Sequence, residues 1–149
     1  MNGASKVLTT NSKGQCTFSI PSNLVPKTYT ATITFAGKDN YLKSSKSVKV
    51  TVKKATVKMT AKAKTFKVKT KTKKYTITLK NNKGKVMKST KVTLKVNGKT
   101  FSAKTNSKGV ATFKITNLKK KGTFKATIKY AGSKYYNKLT KTVKITVKK

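Results

Sequence analysis

Apolar and polar residues alternate along most of this chain, and the stretch Thr105–Ile115 shows the pattern most clearly. Its apolar side chains Ala111, Phe113 and Ile115 fall on one face, while threonine and lysine fall on the other. This period of two residues predicts a half-buried β-strand. Gly109, with an asparagine and a serine shortly before it, predicts a turn that leads into the strand.

The same alternation recurs throughout residues 55–149 and predicts about seven or eight short strands. Asn97-Gly98 is a strong hairpin signal between two of them, and the polar run 70–74 is predicted to be a connection. The predicted inward positions are Val57, Met59, Ala61, Phe66, Val68, Tyr75, Ile77, Leu79, Val92, Leu94, Val96, Phe101, Ala103, Phe124, Ala126, Ile128, Tyr130, Val143, Ile145 and Val147. Short strands at nearly even spacing, without a helical period, predict an all-β fold, an antiparallel β-sandwich.

The chain repeats itself after 95 residues, because the stretch Thr10–Ile20 returns as Thr105–Ile115. At the same shift Asn2 falls on Asn97, and both copies end in Val-Lys-Lys. A repeat of this length corresponds to one β-sandwich domain.

The repeat predicts two parts of unequal completeness. Residues 55–149 are predicted to be one complete domain, and residues 1–54 the C-terminal half of a preceding copy that lacks its first strands. Half a sandwich leaves unpaired strand edges and an uncovered apolar face. We therefore expect residues 1–54 to fold poorly alone, to pack on a neighbour or to exchange strands with another copy. The chain is interpreted as the end of a longer tandem array.

Charge is the most unusual feature of the composition. The formal net charge is +37, all 38 basic residues are lysine, and Asp39 is the only acidic residue. Each lysine by itself is explained as a solvated outward position of a strand or turn. The total has a further consequence, because a surface of one sign collects anions. Nucleic acid, an anionic wall polymer and an anionic membrane all qualify as partners.

Rows of lysines predicted to point outward are the candidate contacts for an anionic polymer. These residues are Lys67, Lys69, Lys71, Lys73, Lys74, Lys119, Lys120 and Lys121. Nucleic acid is expected to bind only non-specifically, because reading of base edges relies on arginine and the chain has none. Three tyrosines are predicted to lie in loops, namely Tyr41, Tyr135 and Tyr136. Packing is favoured over ligand contact as their role.

The residue inventory argues against an enzyme. Without histidine or glutamate the chain has neither a Ser-His-Asp constellation nor a pair of catalytic carboxylates. Cys16 and Asp39 cannot supply a metal site between them, and no cofactor motif is present. Cys16 is predicted to be a small buried residue on the inward face of a strand.

The repeated motifs resemble a known family. The run Thr-Asn-Ser-Lys-Gly-x-Ala-Thr-Phe-x-Ile, followed by Tyr130-Ala-Gly and a terminal Val143-x-Ile-x-Val, is similar to the bacterial-type Ig-like repeats of prokaryotic surface proteins. The resemblance is greatest to the lysine-rich C-terminal Ig-like domains of methanogen adhesin-like proteins, which are archaeal. It implies an Ig-like fold, with one complete domain preceded by a partial copy, in a structural stalk or envelope-retention module at the cell surface. It also implies neighbouring Ig-like repeats and an anionic cell-envelope polymer as partners.

Localisation depends on whether the chain is taken as a whole protein. No apolar run approaches the ~18 residues that a membrane span needs, and the N-terminus has no hydrophobic signal region. Taken as a complete protein, the chain is expected in the cytosol, as a non-specific polyanion or nucleic-acid binder. As part of a longer secreted chain it is expected at the cell surface.

Overall fold

The computed structural model describes Gly3 and residues 5–149, so Asn2 of the predicted repeat lies outside the described residues. The chain divides into two compact units, Met1–Lys53 and Lys54–Lys149. None of the described residues is in a helix. Accordingly, no helix among them is long and apolar enough to cross a membrane.

The first unit contains a single β-hairpin among its described residues. Strand β1 (Thr28–Phe35) pairs antiparallel with β2 (Ser44–Thr51), and Ala31 lies opposite Val48. One more backbone hydrogen bond, from the Val52 N–H to the Lys27 carbonyl at 2.9 Å, extends the ladder.

The second unit is built from strands β3 to β10. Their bounds are β3 Val57–Thr60, β4 Lys64–Lys67, β5 Lys73–Asn81, β6 Lys91–Val96, β7 Lys99–Lys104, β8 Val110–Ile115, β9 Gly122–Tyr130 and β10 Leu139–Lys148. They form a three-stranded sheet in the order β3-β5-β8 and a five-stranded sheet in the order β4-β10-β9-β6-β7.

This strand order is the Ig-like topology. Strand β4 pairs parallel with β10, whereas the other pairs are antiparallel. The start of the unit is therefore divided, with β3 in one sheet and β4 at the edge of the other. Sequential hairpins alternate with connections that cross between the sheets, as in an Ig sandwich. The predicted all-β antiparallel sandwich is confirmed.

The core lies between the two sheets and is formed by predicted inward positions together with Leu118, which was not predicted. Tyr75, Phe113 and Ile128 are at most 1% exposed, and they come from β5, β8 and β9. Burying a side chain of this size stabilises the fold by about 1.5–3 kcal/mol. The other apolar side chains below 3% exposure are Ile77, Leu79, Val92, Leu94, Val96, Ala111, Ile115, Leu118, Ala126, Ile145 and Val147.

A turn of the sequence Asn-x-Lys-Gly occurs at Asn11, Asn81 and Asn106 with one hydrogen-bond pattern. In each turn the asparagine Oδ1 accepts the N–H groups two and four residues later, at 2.9–3.0 Å. The glycine then adopts a positive φ, which is 71° at Gly14 and Gly109. This local geometry, a tight turn closed by a glycine in the left-handed conformation, is the one also found in three-residue hairpin loops. The turn predicted before β8 is thus confirmed.

The copy of this turn in the first unit is not followed by a strand. Residues 15–20, all of them described, carry no strand assignment, whereas their repeat equivalents form β8. In the second unit β8 is held by pairing with β5, and the described part of the first unit has no equivalent of β5. The prediction that Cys16 is buried in a strand is therefore wrong, and Cys16 is exposed.

Candidate polyanion-binding surface

The outer face of the three-stranded sheet consists almost entirely of lysine and threonine. Its inner positions, such as Ile77 and Phe113, are buried, so the intervening positions face outward because strand side chains alternate. Apart from the half-buried Val110, the outward residues are Lys58, Thr60, Lys74, Thr76, Thr78, Lys80, Thr112 and Lys114.

Lysines on this face lie directly opposite one another on neighbouring strands. Lys58 is the partner of Lys80, and Lys74 is the partner of Lys114. Opposed residues on one face of an antiparallel pair have Cβ atoms about 4.5–5.5 Å apart, and like charges in such positions are destabilising. Each pair is therefore a local concentration of positive charge.

The five-stranded sheet repeats this arrangement. Lys91 is opposite Lys104, Lys125 is opposite Lys144, and Lys67 is the partner of Lys148. The remaining outward positions of this sheet are lysine, threonine or serine, namely Thr65, Thr93, Lys95, Thr100, Ser102, Thr123, Thr127, Lys129, Thr140, Thr142 and Thr146. We call these five opposed pairs, two on one sheet and three on the other, the lysine pairs.

No acidic side chain of the second unit can neutralise the lysine pairs. The only acidic side chain in the chain is Asp39, which belongs to the first unit. Counterions from solution must therefore balance the charge on both sheets. Threonine and serine hydroxyls beside the pairs add hydrogen-bond donors for the oxygen atoms of an anion.

A groove connects the two lysine-bearing faces at the edge between β7 and β8. It has a volume of about 400 Å³ and is lined by Phe101, Ser102, Thr112 and, on its two sides, Lys104 and Lys114. Each of these lysines belongs to a lysine pair, one on each sheet. The groove is thus lined by one paired lysine from each sheet.

Most of the lysines predicted as polymer contacts are exposed. Lys67 and Lys74 belong to lysine pairs, Lys69 and Lys71 lie in the connection between β4 and β5, and residues 119–121 precede β9. Their contact with a polymer remains a prediction.

Lys73 is the exception, and the prediction that it points outward is wrong. It is 2% exposed, and its Nζ donates to the Thr70 carbonyl at 2.7 Å and to the Val68 carbonyl at 3.5 Å. The run 70–74 is not wholly a connection, because Lys73 already begins β5. Its strand phase is that of the buried Tyr75, and this alternation was the signal in the sequence that could have identified it.

None of the lysine pairs was predicted, because runs of charge along the chain do not show which lysines lie opposite one another on neighbouring strands. One pair was within reach. The two-residue hairpin Asn97-Gly98 fixes the register of its flanking strands, and that register places Lys91 opposite Lys104. The pairs Lys74–Lys114 and Lys125–Lys144 depend on longer connections between strands and have no local signal.

In the second unit, aromatic side chains offer little surface on which nucleic-acid bases could stack, whereas Phe18, Phe35 and Tyr41 of the first unit are exposed. Phe66 and Phe101 are half-buried. The Lys64 ammonium lies 5.1 Å from the centroid of the Phe66 ring, and the Lys99 ammonium lies 5.7 Å from that of the Phe101 ring. Tyr136 packs against the core, and its hydroxyl accepts a 3.4 Å hydrogen bond from Asn81. Tyr135 is 43% exposed. The predicted packing role therefore holds for Tyr136 and is wrong for Tyr41, which is 74% exposed.

The described residues contain no group of three histidine, cysteine, aspartate or glutamate side chains that could hold a metal ion. One ionisable group of the core is perturbed, since burial raises the pKa of the Tyr75 hydroxyl above its ordinary value of 10.0. That hydroxyl donates to the Lys62 carbonyl at 2.8 Å, so it is a structural group.

Comparison with known proteins yields structural similarity only. No protein-family model matches the chain, and no curated relative was found. A chain of the endo-beta-1,4-mannanase from Thermotoga petrophila is 13% identical, with a TM-score of 0.44 over 65% of this chain and 20% of that chain. A structure that concerns the host cell surface retention of a 1.5-MDa bacterial ice-binding adhesin is 12% identical, with a TM-score of 0.38 over 82% of this chain and 43% of that chain. A bacterial immunoglobulin-like domain from the M. primoryensis ice-binding adhesin is 16% identical, with a TM-score of 0.38 over 64% and 98%.

This chain spans less than half of the first two similar structures. At these identities and TM-scores the comparisons assign neither a family nor an activity. The topology of β3 to β10 identifies the second unit as an Ig-like β-sandwich.

Proposed function

We propose that this chain is a structural, non-catalytic module of a cell-surface protein, and that its lysine-bearing faces retain anionic polymer of the cell envelope. The observation that supports this function best is the set of lysine pairs without a neutralising acid. Each pair destabilises the bare protein, and an anionic group between the two ammonium groups removes the repulsion. Binding and folding stability are therefore coupled, because a ligand of the folded state stabilises it.

The arrangement favours an extended polymer over a small anion. The lysine pairs recur on both sheets, and the groove between Lys104 and Lys114 connects the two faces. A flexible chain of phosphate or carboxylate groups can contact several pairs at once, and weak contacts then add up. Because these contacts release condensed counterions, affinity falls steeply with salt. No single lysine dominates.

The surface location belongs to the same proposal. An Ig-like sandwich in tandem with a partial copy suits a spacer in a longer secreted chain, such as an archaeal adhesin-like protein with neighbouring Ig-like repeats. The roles of stalk and of envelope retention are compatible, since the packed core makes the unit rigid and the outer faces bind the anionic polymer of the envelope.

Non-specific binding of nucleic acid by a cytosolic protein is the rival function, and competition at matched salt separates the two. A uronic-acid polysaccharide and a glycerol-phosphate polymer represent wall polymers, and duplex DNA represents nucleic acid. The proposal predicts that at about 150 mM salt, where the Debye length is about 8 Å, a wall polymer displaces DNA from the protein. Preference for DNA at that salt concentration would overturn the proposed function in favour of the rival.

A further inference from the structure

The hairpin of the first unit has the same strand register as the last hairpin of the second unit, which we call the complete unit. In β1 and β2 Ala31 lies opposite Val48, and in β9 and β10 Ala126 lies opposite Val143. Each residue of the first pair lies 95 positions before its equivalent in the second pair. The repeat is therefore structural as well as sequential in this hairpin.

Apolar side chains that are buried in the complete unit are exposed in the copy. Ile128 is 0% exposed, and its equivalent Ile33 is 57% exposed. Phe113 is likewise 0% exposed, and its equivalent Phe18 is 42% exposed. Ile20, Phe35 and Val48 are also exposed, and their equivalents Ile115, Tyr130 and Val143 are buried or half-buried. We call Phe18, Ile20, Ile33, Phe35 and Val48 the open face.

The complete unit shows which residues cover such a face. Strand β5 pairs with β8, and Tyr75 lies opposite Phe113. Strand β6 pairs with β9, with Leu94 opposite Ile128, and β4 pairs with β10. All of these covering strands lie within residues 55–96, which we call the first-half segment.

We infer that the open face is a docking surface for one occupant, a first-half segment equivalent to residues 55–96 and belonging to another polypeptide or to a separate stretch of a longer one. The occupant completes a second sandwich. Residues 15–20 then form a strand against the equivalent of β5, and β1 gains the equivalent of β6 as its neighbour.

A second intact copy of this chain is not the occupant. Each copy contains a single first-half segment, which already covers β8, β9 and β10 of its own complete unit. Exchange between copies would uncover one such face for every open face that it covers. The partner is therefore a first-half segment without its own second half.

The lone cysteine provides the readout. Cys16 is exposed, and its equivalent Ala111 is 0% exposed. Completion of the sandwich therefore buries the only thiol of the chain. We expect a synthetic peptide of residues 55–96, added to the whole chain, to slow thiol labelling at Cys16 by at least about a hundredfold, because labelling then needs local opening. Hydrogen exchange should slow at residues 15–20 and 28–51 and stay unchanged at 105–149.

A matched pair of variants tests the face itself. Ile33→Ser removes an exposed apolar side chain and is expected to weaken peptide binding at least about tenfold, as large-to-small changes in cores do. Thr32→Ser, at the neighbouring outward position, is expected to leave binding unchanged.

Three results would overturn the inference. The first is an unchanged rate of Cys16 labelling at about 1 mM peptide, a concentration at the weak end of specific affinity. The second is hydrogen-exchange protection at residues 105–149 instead of 15–51. The third is equal peptide binding by the Ile33→Ser and Thr32→Ser variants. A fusion with residues 55–96 placed ahead of the whole chain guards against peptide aggregation. It should protect Cys16 without added peptide, and a Cys16 as reactive in the fusion as in the parent chain would equally overturn the inference.

Discussion

The ammonium group of Lys73 donates a hydrogen bond of 2.7 Å to the carbonyl oxygen of Thr70, three residues earlier. This contact fixes the end of the connection into β5 and buries one lysine of an otherwise exposed row. Lys73 and its neighbour Lys74 therefore have the same chemistry and different roles.

Lys73→Ala is expected to lower the free energy of unfolding of the second unit by roughly 1–3 kcal/mol, because the Val68 and Thr70 carbonyls lose a charged donor. Lys74→Ala is the control. It removes an exposed charge opposite Lys114 and is expected to leave stability within about 0.5 kcal/mol or to raise it. Urea denaturation of both variants measures the difference. Equal effects would show that the Lys73 hydrogen bonds contribute nothing.

Thr105 connects the segment before β6 with the segment before β8. Its buried hydroxyl donates to the Met87 carbonyl at 2.6 Å and accepts from the Thr90 N–H at 2.9 Å. Thr105→Val keeps the shape and removes both bonds, and we expect a loss of roughly 1–3 kcal/mol. The repeat equivalent Thr10 is exposed, so Thr10→Val should leave stability unchanged. Thermal unfolding of both variants measures the difference. A destabilisation that is as large at Thr10 would contradict this account.

Gly109 and Gly84 separate two costs of adding a side chain. Both have a positive φ, 71° and 76°, so alanine at either position costs about 1–3 kcal/mol in backbone strain. At Gly109 the added Cβ would also lie 2.8 Å from the Leu79 carbonyl oxygen and 2.9 Å from the Val86 Cβ, whereas Gly84 has nothing within 4 Å.

We therefore expect Gly109→Ala to be more destabilising than Gly84→Ala, by roughly 1–3 kcal/mol of overpacking. Denaturant midpoints of the two variants, measured with a common slope, give this difference directly. Equal midpoints would mean that the turn shifts at no cost.

Tyr75 predicts a pH dependence at the alkaline end. Burial raises the pKa of its hydroxyl above 10.0, so the folded state favours the neutral form. The contribution of Tyr75 is present below pH 10 and is lost as the pH rises through the raised folded-state pKa.

Comparison with Tyr75→Phe isolates this contribution, because lysine deprotonation affects both proteins alike. The difference in free energy of unfolding between wild type and variant is expected to be constant below about pH 9 and to shift in favour of the variant above pH 10. Denaturation at a series of pH values measures it. A difference that is constant up to pH 11 would contradict the raised pKa.

Local patterns predicted the inward side chains well, because alternation assigns Ile77 or Phe113 to one face without knowledge of the partner strand. The failures at Lys73 and Cys16 have other causes. Lys73 occupies an inward position of β5 although it is charged. Its aliphatic stem is buried, and its ammonium group donates hydrogen bonds to two carbonyls. Cys16 has the right local pattern, but a strand also needs a neighbour, which local sequence does not supply.

The candidate surface was predictable as a total charge and not as an arrangement. Net charge and the absence of arginine follow from composition. The positions of the lysine pairs depend on the register between strands that are distant in sequence, such as β5 with β8.

Polymer binding by two variants of equal charge tests the central claim most directly. The first carries Lys80→Gln, Lys104→Gln and Lys114→Gln, which break three lysine pairs and remove both lysines of the groove. The second carries Lys62→Gln, Lys83→Gln and Lys88→Gln, which change exposed lysines outside the strands.

Affinity for a glycerol-phosphate polymer is measured against salt concentration. The account predicts that the first variant binds at least about tenfold more weakly than the second at low salt and has a salt dependence shallower by about two or three ion equivalents. Equal affinities and equal salt slopes would show that only the net charge matters, and would contradict the role of the lysine pairs.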